Sequence, residues 1–184
     1  MPRNARLDIP GYPYHVISRG NEKRTIFTDD ADYFDFMRRL RLVLDLLGSK
    51  CLAWCLMPNH FHLVILRGFR PLSELMSRLL TGYTGNFNRR YRRCGHLFQN
   101  RYKAILCEED EYLLELIAYI HLNPLRAGLV RDYAELKGYK WCGHKELLGT
   151  VPATLADRNY VLGYFGHGDV DAVAKYEEFL RARV

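Results

Sequence analysis

The sequence predicts an α+β fold. The expected form is a ferredoxin-like, split β-α-β antiparallel sheet with helices packed on one face, followed by a small helical C-terminal extension. Three observations carry this. The hydrophobic periodicity changes along the chain in the order strand, helix, strand, strand, helix, strand, helix. The two middle strands are separated only by Pro58-Asn59, a turn short enough to make them a hairpin. At 184 residues, 48% hydrophobic and 26% charged, the chain holds material for one domain with its own core.

The elements follow in order. Residues 12–19 mix aromatic and β-branched side chains and end in Arg19-Gly20-Asn21, a strand running into a turn. Thr28 offers a helix N-cap, with Asp29 and Asp30 in the favourable first turn. Tyr33, Phe36, Met37, Leu40, Val43, Leu44 and Leu47 recur at helical spacing, and Gly48 supplies the stop. Residues 51–57 form the second strand, and residues 60–66 the third, a continuous apolar run. Pro71 opens a second helix whose stripe runs from Leu72 to Phe87, weakened at Gly82 and Gly85. A strand over 102–107 precedes a third helix with Leu113, Leu116, Ile117 and Ile120 on its buried stripe; Pro124 predicts its end or a kink at Asn123. Tyr139-Lys140-Trp141 reads as a short edge element, and two small helices are expected from Thr154, split near Gly166-His167-Gly168. The division is a domain over 1–148 and an appendage over 149–184.

The net charge of +6 and a pI of about 9.1 favour an anionic partner over an acidic protein. No apolar stretch is long enough to span a bilayer, and residues 1–10 lack the apolar core of a signal peptide. The expectation is a soluble, cytoplasmic protein. Five cysteines, an odd number with no C-x-x-C pair, argue against a disulfide framework or a zinc ribbon.

The chemistry starts at His60-Phe61-His62. Alternation along a strand points both imidazoles to one side, and two neutral imidazoles bind a divalent metal if a third group closes the site. Histidines satisfied by hydrogen bonds in a sheet account for the same spacing. Tyr119 and Asn123, four apart, share one face of the third helix, with Glu115 a turn earlier. A helix beside the strand brings the Asn123 amide oxygen to a metal and the Tyr119 phenol to a phosphate held there, as a nucleophile. Glu115 or His121 would assist as base; spacing does not choose between them. Taken singly, Tyr119 reads equally as a core-edge aromatic and Asn123 as a cap before Pro124.

The segment from Asn88 to Lys103 is basic and aromatic. Arg89, Arg90, Arg92, Arg93, Arg101 and Lys103 offer phosphate contacts, while Tyr91, Phe98 and Tyr102 offer rings for unpaired bases. Gln99 and Asn100 offer base-edge hydrogen bonds. Arg19, Arg78, Arg126, Arg131, Lys137 and Lys140 extend the track, and a solvated charged face is the plainer alternative.

Three stretches together are more specific: Leu56-Met57-Pro58-Asn59-His60-Phe61-His62-Leu63-Val64, Gly95-His96-Leu97-Phe98-Gln99-Asn100-Arg101-Tyr102-Lys103, and Tyr119 through Val130, which reads YIHLNPLRAGLV. In this order and spacing they resemble the REP-associated tyrosine transposases, HUH single-strand nucleases related to the single-tyrosine transposases of insertion sequences. The resemblance covers residues 11–148. It implies a ferredoxin-like fold, His60, His62 and Asn123 as ligands of Mg²⁺ or Mn²⁺, and Tyr119 as nucleophile. It further implies single-stranded DNA beside an imperfect hairpin from repeated extragenic palindromes in a bacterial cytoplasm. Cleavage would leave a 5′-phosphotyrosine and a free 3′-hydroxyl, able to rejoin strands without ATP. Relatives include monomers and homodimers that exchange the tyrosine helix. Two further readings stay open: a module that binds hairpin DNA or RNA without cutting, and a metal hydrolase that uses water.

Overall fold

The computed structural model describes residues 8–184. The elements are β1 (Pro13–Arg19), α1 (Asp30–Leu47), β2 (Lys50–Met57), β3 (His60–Leu66), α2 (Leu72–Arg90), β4 (Lys103–Leu106), α3 (Asp110–Arg126), α4 (Tyr133–Gly138), α5 (His144–Leu147), α6 (Arg158–Leu162) and α7 (Asp169–Arg181). The strands form one antiparallel sheet in the order β2-β3-β1-β4. This is the split β-α-β arrangement, with β1 inserted between the hairpin and β4. The sequence reading of residues 1–7 lies outside the described residues.

The register of the central strands builds the functional face. His60 pairs with Arg19, His62 with Ile17 and Val64 with His15, while Ile17 pairs in turn with Lys103. Directly paired residues point to the same side of a sheet, so these side chains share one face. Phe61, Leu63 and Ile65 point to the other. There α1 and α2 form the expected helical layer: Phe36 meets Phe61 at 4.9 Å between ring centres, and Tyr83 meets Phe36 at 5.2 Å. The one-face layer holds for this pair. α3 follows the last strand and covers the histidine face, against β2 and β3.

Local chemistry moved some element ends from their expected places. The N-cap of α1 is Asp29 rather than Thr28: its carboxylate accepts from the backbone N–H of Ala31 and Asp32 at 3.0 and 3.3 Å. Gly48, at φ 63°, ends that helix as expected. α2 runs unbroken through Gly82 and Gly85, and a side chain at Gly82 would stand 2.7 Å from the Arg39 guanidinium. The expected break at Asn123 does not occur. Pro124 lies in the final turn of α3, where its missing N–H costs one hydrogen bond, to the Ile120 carbonyl, and the helix runs on to Arg126. A Schellman motif then closes the helix: Leu129 N–H donates to the Pro124 carbonyl at 2.9 Å and Gly128 N–H to that of Leu125 at 3.0 Å, with Gly128 at φ 69°.

The C-terminal segment shares the core of the sheet domain. Leu155, Val161, Leu162, Tyr176 and Leu180 are buried in the same cluster. The segment also seals the free edge of β2, which would otherwise expose unpaired backbone groups. Leu56 N–H donates to the Trp141 carbonyl at 2.8 Å, Gly143 N–H to Trp54 at 2.9 Å, and Asp157 N–H to Cys51 at 2.7 Å. The buried Glu146 carboxylate anchors this turn, accepting from Ala156 N–H at 2.7 Å and Leu155 N–H at 3.2 Å. All five cysteines are free, and only Cys94 is exposed. Among the described residues no helix is long and apolar enough to cross a membrane.

Candidate active site

His60 and His62 stand 5.2 Å apart between ring centres, at 80° to one another. Each has its Nδ1 engaged. His60 Nδ1 lies 2.6 Å from Asn59 Oδ1, and His62 Nδ1 lies 3.0 Å from His15 Nε2. Among the described residues neither Nε2 has a hydrogen-bond partner, and both histidines line a cleft of about 650 Å³. A proton held at Nδ1 leaves the Nε2 lone pair for a ligand. Asn59 Oδ1 can only accept, so it fixes this tautomer in His60. His15 does the same for His62 when His62 donates to it. Burial lowers the pKa of His15 to about 4. It brings His60 to about 4, with Arg19 adding to the effect, and His62 to about 3, aided by His15, His60 and Arg19. All three rings are therefore neutral near pH 7.

α3 delivers the other two groups. The Tyr119 ring stands edge-on to His62 at 5.8 Å and to His15 at 6.4 Å, and it is 41% exposed. One turn on, Asn123 is buried and lines the same cleft, its Nδ2 without a partner. Leaving this buried Nδ2 donor unpaired costs roughly 1–3 kcal/mol, which an acceptor in the cleft, such as a phosphate oxygen, would recover. Two imidazole nitrogens and a carboxamide oxygen are neutral donors that fit a divalent cation. Among the described residues no group of three or more His, Cys, Asp and Glu side chains is placed to hold a metal, so any ion here depends on the amide. His60, His62, Tyr119 and Asn123 line this cleft from a single chain.

The charge around the cleft is unbalanced. Among the described residues, the cations without an ion-pair partner are Arg19, Lys23, Arg89, Arg92, Arg93, Arg101, Lys103, Arg126 and Lys145. Arg19, Arg101, Lys103 and Arg126 line the cleft with Gln99 and Asn100, and the Arg126 guanidinium sits 5.6 Å from the Tyr119 ring centre. Other members of the expected track are committed elsewhere: Arg90 to Asp29 and Asp32, Arg78 to Glu74, Arg131 to Glu135, Lys137 to Glu177 and Lys140 to Asp30.

The aromatic residues of the segment turn inward. Tyr102 is buried. Phe98 packs on Phe61 and Tyr83 at 6.1 and 6.5 Å, and Tyr91 packs on Phe87 and donates to Asp32.

Of the two expected bases, Glu115 shares a cleft with Tyr119, a second one of about 410 Å³ that His15 and Arg183 also line, and His121 does not. Glu115 pairs with Arg183, whose guanidinium holds its carboxyl below the usual range. His121 is fully buried, its Nδ1 2.7 Å from the Tyr176 hydroxyl. Two residues along a helix is a rotation of about 200°, so Tyr119 and His121 leave α3 on opposite flanks. The residue that sequence reading missed is His15. Alternation in β1 puts it on the side of Ile17 and Arg19, but only the β1–β3 pairing sets it beside His62.

A small α+β domain with a histidine pair, an exposed phenol and a band of unpaired cations defines a nucleic-acid-processing class. Residues 9–123 match the family model of the IS200-like transposases, and the chain belongs to that family. A solved structure described as a REP-associated tyrosine transposase bound to a REP hairpin shares the fold, with a TM-score of 0.64 and 16% identity over 84% of this chain and 90% of that one. Weaker likenesses are a putative transposase from Deinococcus radiodurans R1, with TM-score 0.45 and 15% identity over 65% and 95% of the two chains, and the tRNA(His) guanylyltransferase of Saccharomyces cerevisiae, with 0.48 and 7% over 98% and 81%. No curated protein matches the chain.

Proposed function

We propose that this transposase-family chain is a metal-dependent single-strand DNA endonuclease and strand transferase that acts at hairpin or palindromic repeat DNA, with Tyr119 as its nucleophile. The supporting observation is convergence: an accessible phenol, two imidazoles with free Nε2 atoms and an unpartnered carboxamide meet in one cation-lined cleft. His60, His62 and Asn123 would hold Mg²⁺ or Mn²⁺, and such an ion would polarise the scissile phosphate as a Lewis acid. Arg19, Lys103 and Arg126 hold the strand's phosphates by charge.

The Tyr119 oxygen attacks phosphorus, and its proton passes to solvent, the hydroxyl having no hydrogen-bond partner among the described residues. The bond between phosphorus and the 3′ oxygen breaks, and that oxygen takes a proton from solvent and leaves as a 3′-hydroxyl, giving a 5′-phosphotyrosine. Attack by another 3′-hydroxyl reverses the step, so the energy of the phosphodiester is kept. Hairpin DNA as partner is supported by the fold shared with the hairpin-bound transposase.

The test is incubation of labelled single-stranded hairpin DNA with the protein and Mn²⁺. The expected result is a covalent adduct in denaturing gels, absent in Tyr119→Phe. Tight binding without any adduct would make the chain a hairpin DNA- or RNA-binding module. Continued cutting by Tyr119→Phe would make it a hydrolase that uses water.

A further inference from the structure

Cys55 and Cys142 form an isolated antiparallel bridge at the outer edge of β2, where residues 141–143 close the sheet. We propose that this pair is a modification site, a cross-strand disulfide that hydrogen peroxide closes and a small thiol reopens. The site is independent of the role given to Tyr119 and stands or falls without it.

Three observations carry it. The first is backbone geometry. The hydrogen bonds flank the pair and do not join it: Leu56 N–H donates to the Trp141 carbonyl and Gly143 N–H to that of Trp54. Cys55 and Cys142 are therefore a non-hydrogen-bonded pair, the class whose Cα atoms approach to about 4.5 Å with both side chains on one side. A disulfide accepts Cα separations from about 4.4 Å upward. The second is contact between the sulfurs: the Cys55 and Cys142 thiols hydrogen-bond each other inside the core. The third is the absence of a rival among the other thiols. Cys51 and Cys107 each donate to a carbonyl of their own strand or its end, at 3.4 and 3.8 Å, and Cys94 is exposed.

Burial holds the Cys55 thiol well above its ordinary pKa, so the closed bridge is slow to react. Reaction begins when the bridge opens. It is one residue pair wide and lies at a sheet edge, where local opening costs less than global unfolding. Each thiol then gives up one proton and one electron, the sulfur–sulfur bond forms, and one hydrogen peroxide takes both protons and both electrons as it splits into two waters. The bond joins residues roughly 90 positions apart, which removes much freedom from the unfolded chain. It fixes the 141–143 segment to the strand on which Cys55 pairs with His62. In a reducing compartment such a bond lasts only while oxidant does.

The test uses the full chain carrying Cys94→Ser, which removes the exposed thiol and with it links between molecules. Hydrogen peroxide is added and quenched, and unreduced peptides are mapped by mass spectrometry. The expected product is a linked pair of peptides holding Cys55 and Cys142, two hydrogens lighter than the free peptides, with Cys51 and Cys107 still titrating as thiols in denaturant. The melting temperature should rise by about 10 °C, and dithiothreitol should restore it. Adding Cys142→Ser should abolish both the link and the rise. The peptide map needs no substitution at the pair, so it decides the matter even if Cys142→Ser does not fold. All four thiols intact after peroxide, a pair oxidised to sulfinic acids without a link, or a link through Cys51 or Cys107 would each overturn the site.

Discussion

Two groups of the same composition, two histidines and a tyrosine each, flank α3 on opposite sides. His60, His62 and Tyr119 open onto a cleft. His121, His144 and Tyr176 are sealed in the C-terminal core, where the Tyr176 hydroxyl bridges the two Nδ1 atoms at 2.7 and 2.9 Å. Burial drives His121 well below its ordinary pKa and His144 to about 4, and pushes Tyr176 well above the usual phenol range. In the core group the tyrosine proton is spent on a histidine and no substrate can reach it, so that group holds α7 against α3 and α5. In the cleft the histidines are oriented by Asn59 and His15, and the phenol is left open. Composition does not distinguish a catalytic cluster from a structural one; access and the destination of each hydrogen bond do.

The comparison breaks most directly at the two phenols. Tyr119→Phe should lower adduct formation by about 10³-fold or more while leaving the unfolding free energy from a urea titration within about 0.5 kcal/mol of wild type, because the hydroxyl it removes has no hydrogen-bond partner among the described residues. Tyr176→Phe should do the reverse. It strands two buried imidazoles, costing about 2–3 kcal/mol in a denaturant titration, and keeps the adduct under conditions where the protein is folded. A Tyr176→Phe protein that melts normally but forms no adduct would refute the distinction.

The next effect tests how the cleft histidines are oriented. His15→Ala removes the partner of His62 Nδ1 and should weaken Mn²⁺ binding about 10- to 100-fold by calorimetry. Asn123→Ala should also weaken Mn²⁺ binding at least tenfold without destabilising the fold, since it removes a buried amide nitrogen that has no partner and so relieves a cost.

One effect is shared by both groups. His15, His60, His62 and His144 have folded pKa values lowered from 6.5 to about 4 or 3. Between 6.5 and those values the unfolded chain binds more protons than the folded one. Stability is therefore full above about pH 6.5 and falls as pH drops towards 4, by roughly 2 kcal/mol for each such histidine at pH 5. Urea titrations at pH 7 and 5 measure it; equal midpoints would contradict the burial of these rings.

How much of this was legible can be judged residue by residue. The hairpin at Pro58-Asn59 and the alternation of His60, Phe61 and His62 follow from short-range rules, and the strand appears where they place it. Pro124 was misread because a proline two residues from a helix end disturbs little, and the Gly128 closure that accommodates it depends on backbone conformation. The charges between Arg89 and Lys103 could be counted, but their pairing could not: Arg90 meets acids nearly sixty residues away, at Asp29 and Asp32.

By itself, the sequence determined the element order, the sheet-helix alternation and the side of the strand to which each cleft histidine points. These depend on periods of two and 3.6 residues that any local stretch displays. Only the tertiary structure decided that His15 stands behind His62, that Glu115 is paired with Arg183 while His121 is sealed away from Tyr119, and that the Asn123 amide nitrogen lacks a partner among the described residues. Each of those depends on strand register or on which element covers a helix flank, and contacts between distant segments have no local period to announce them.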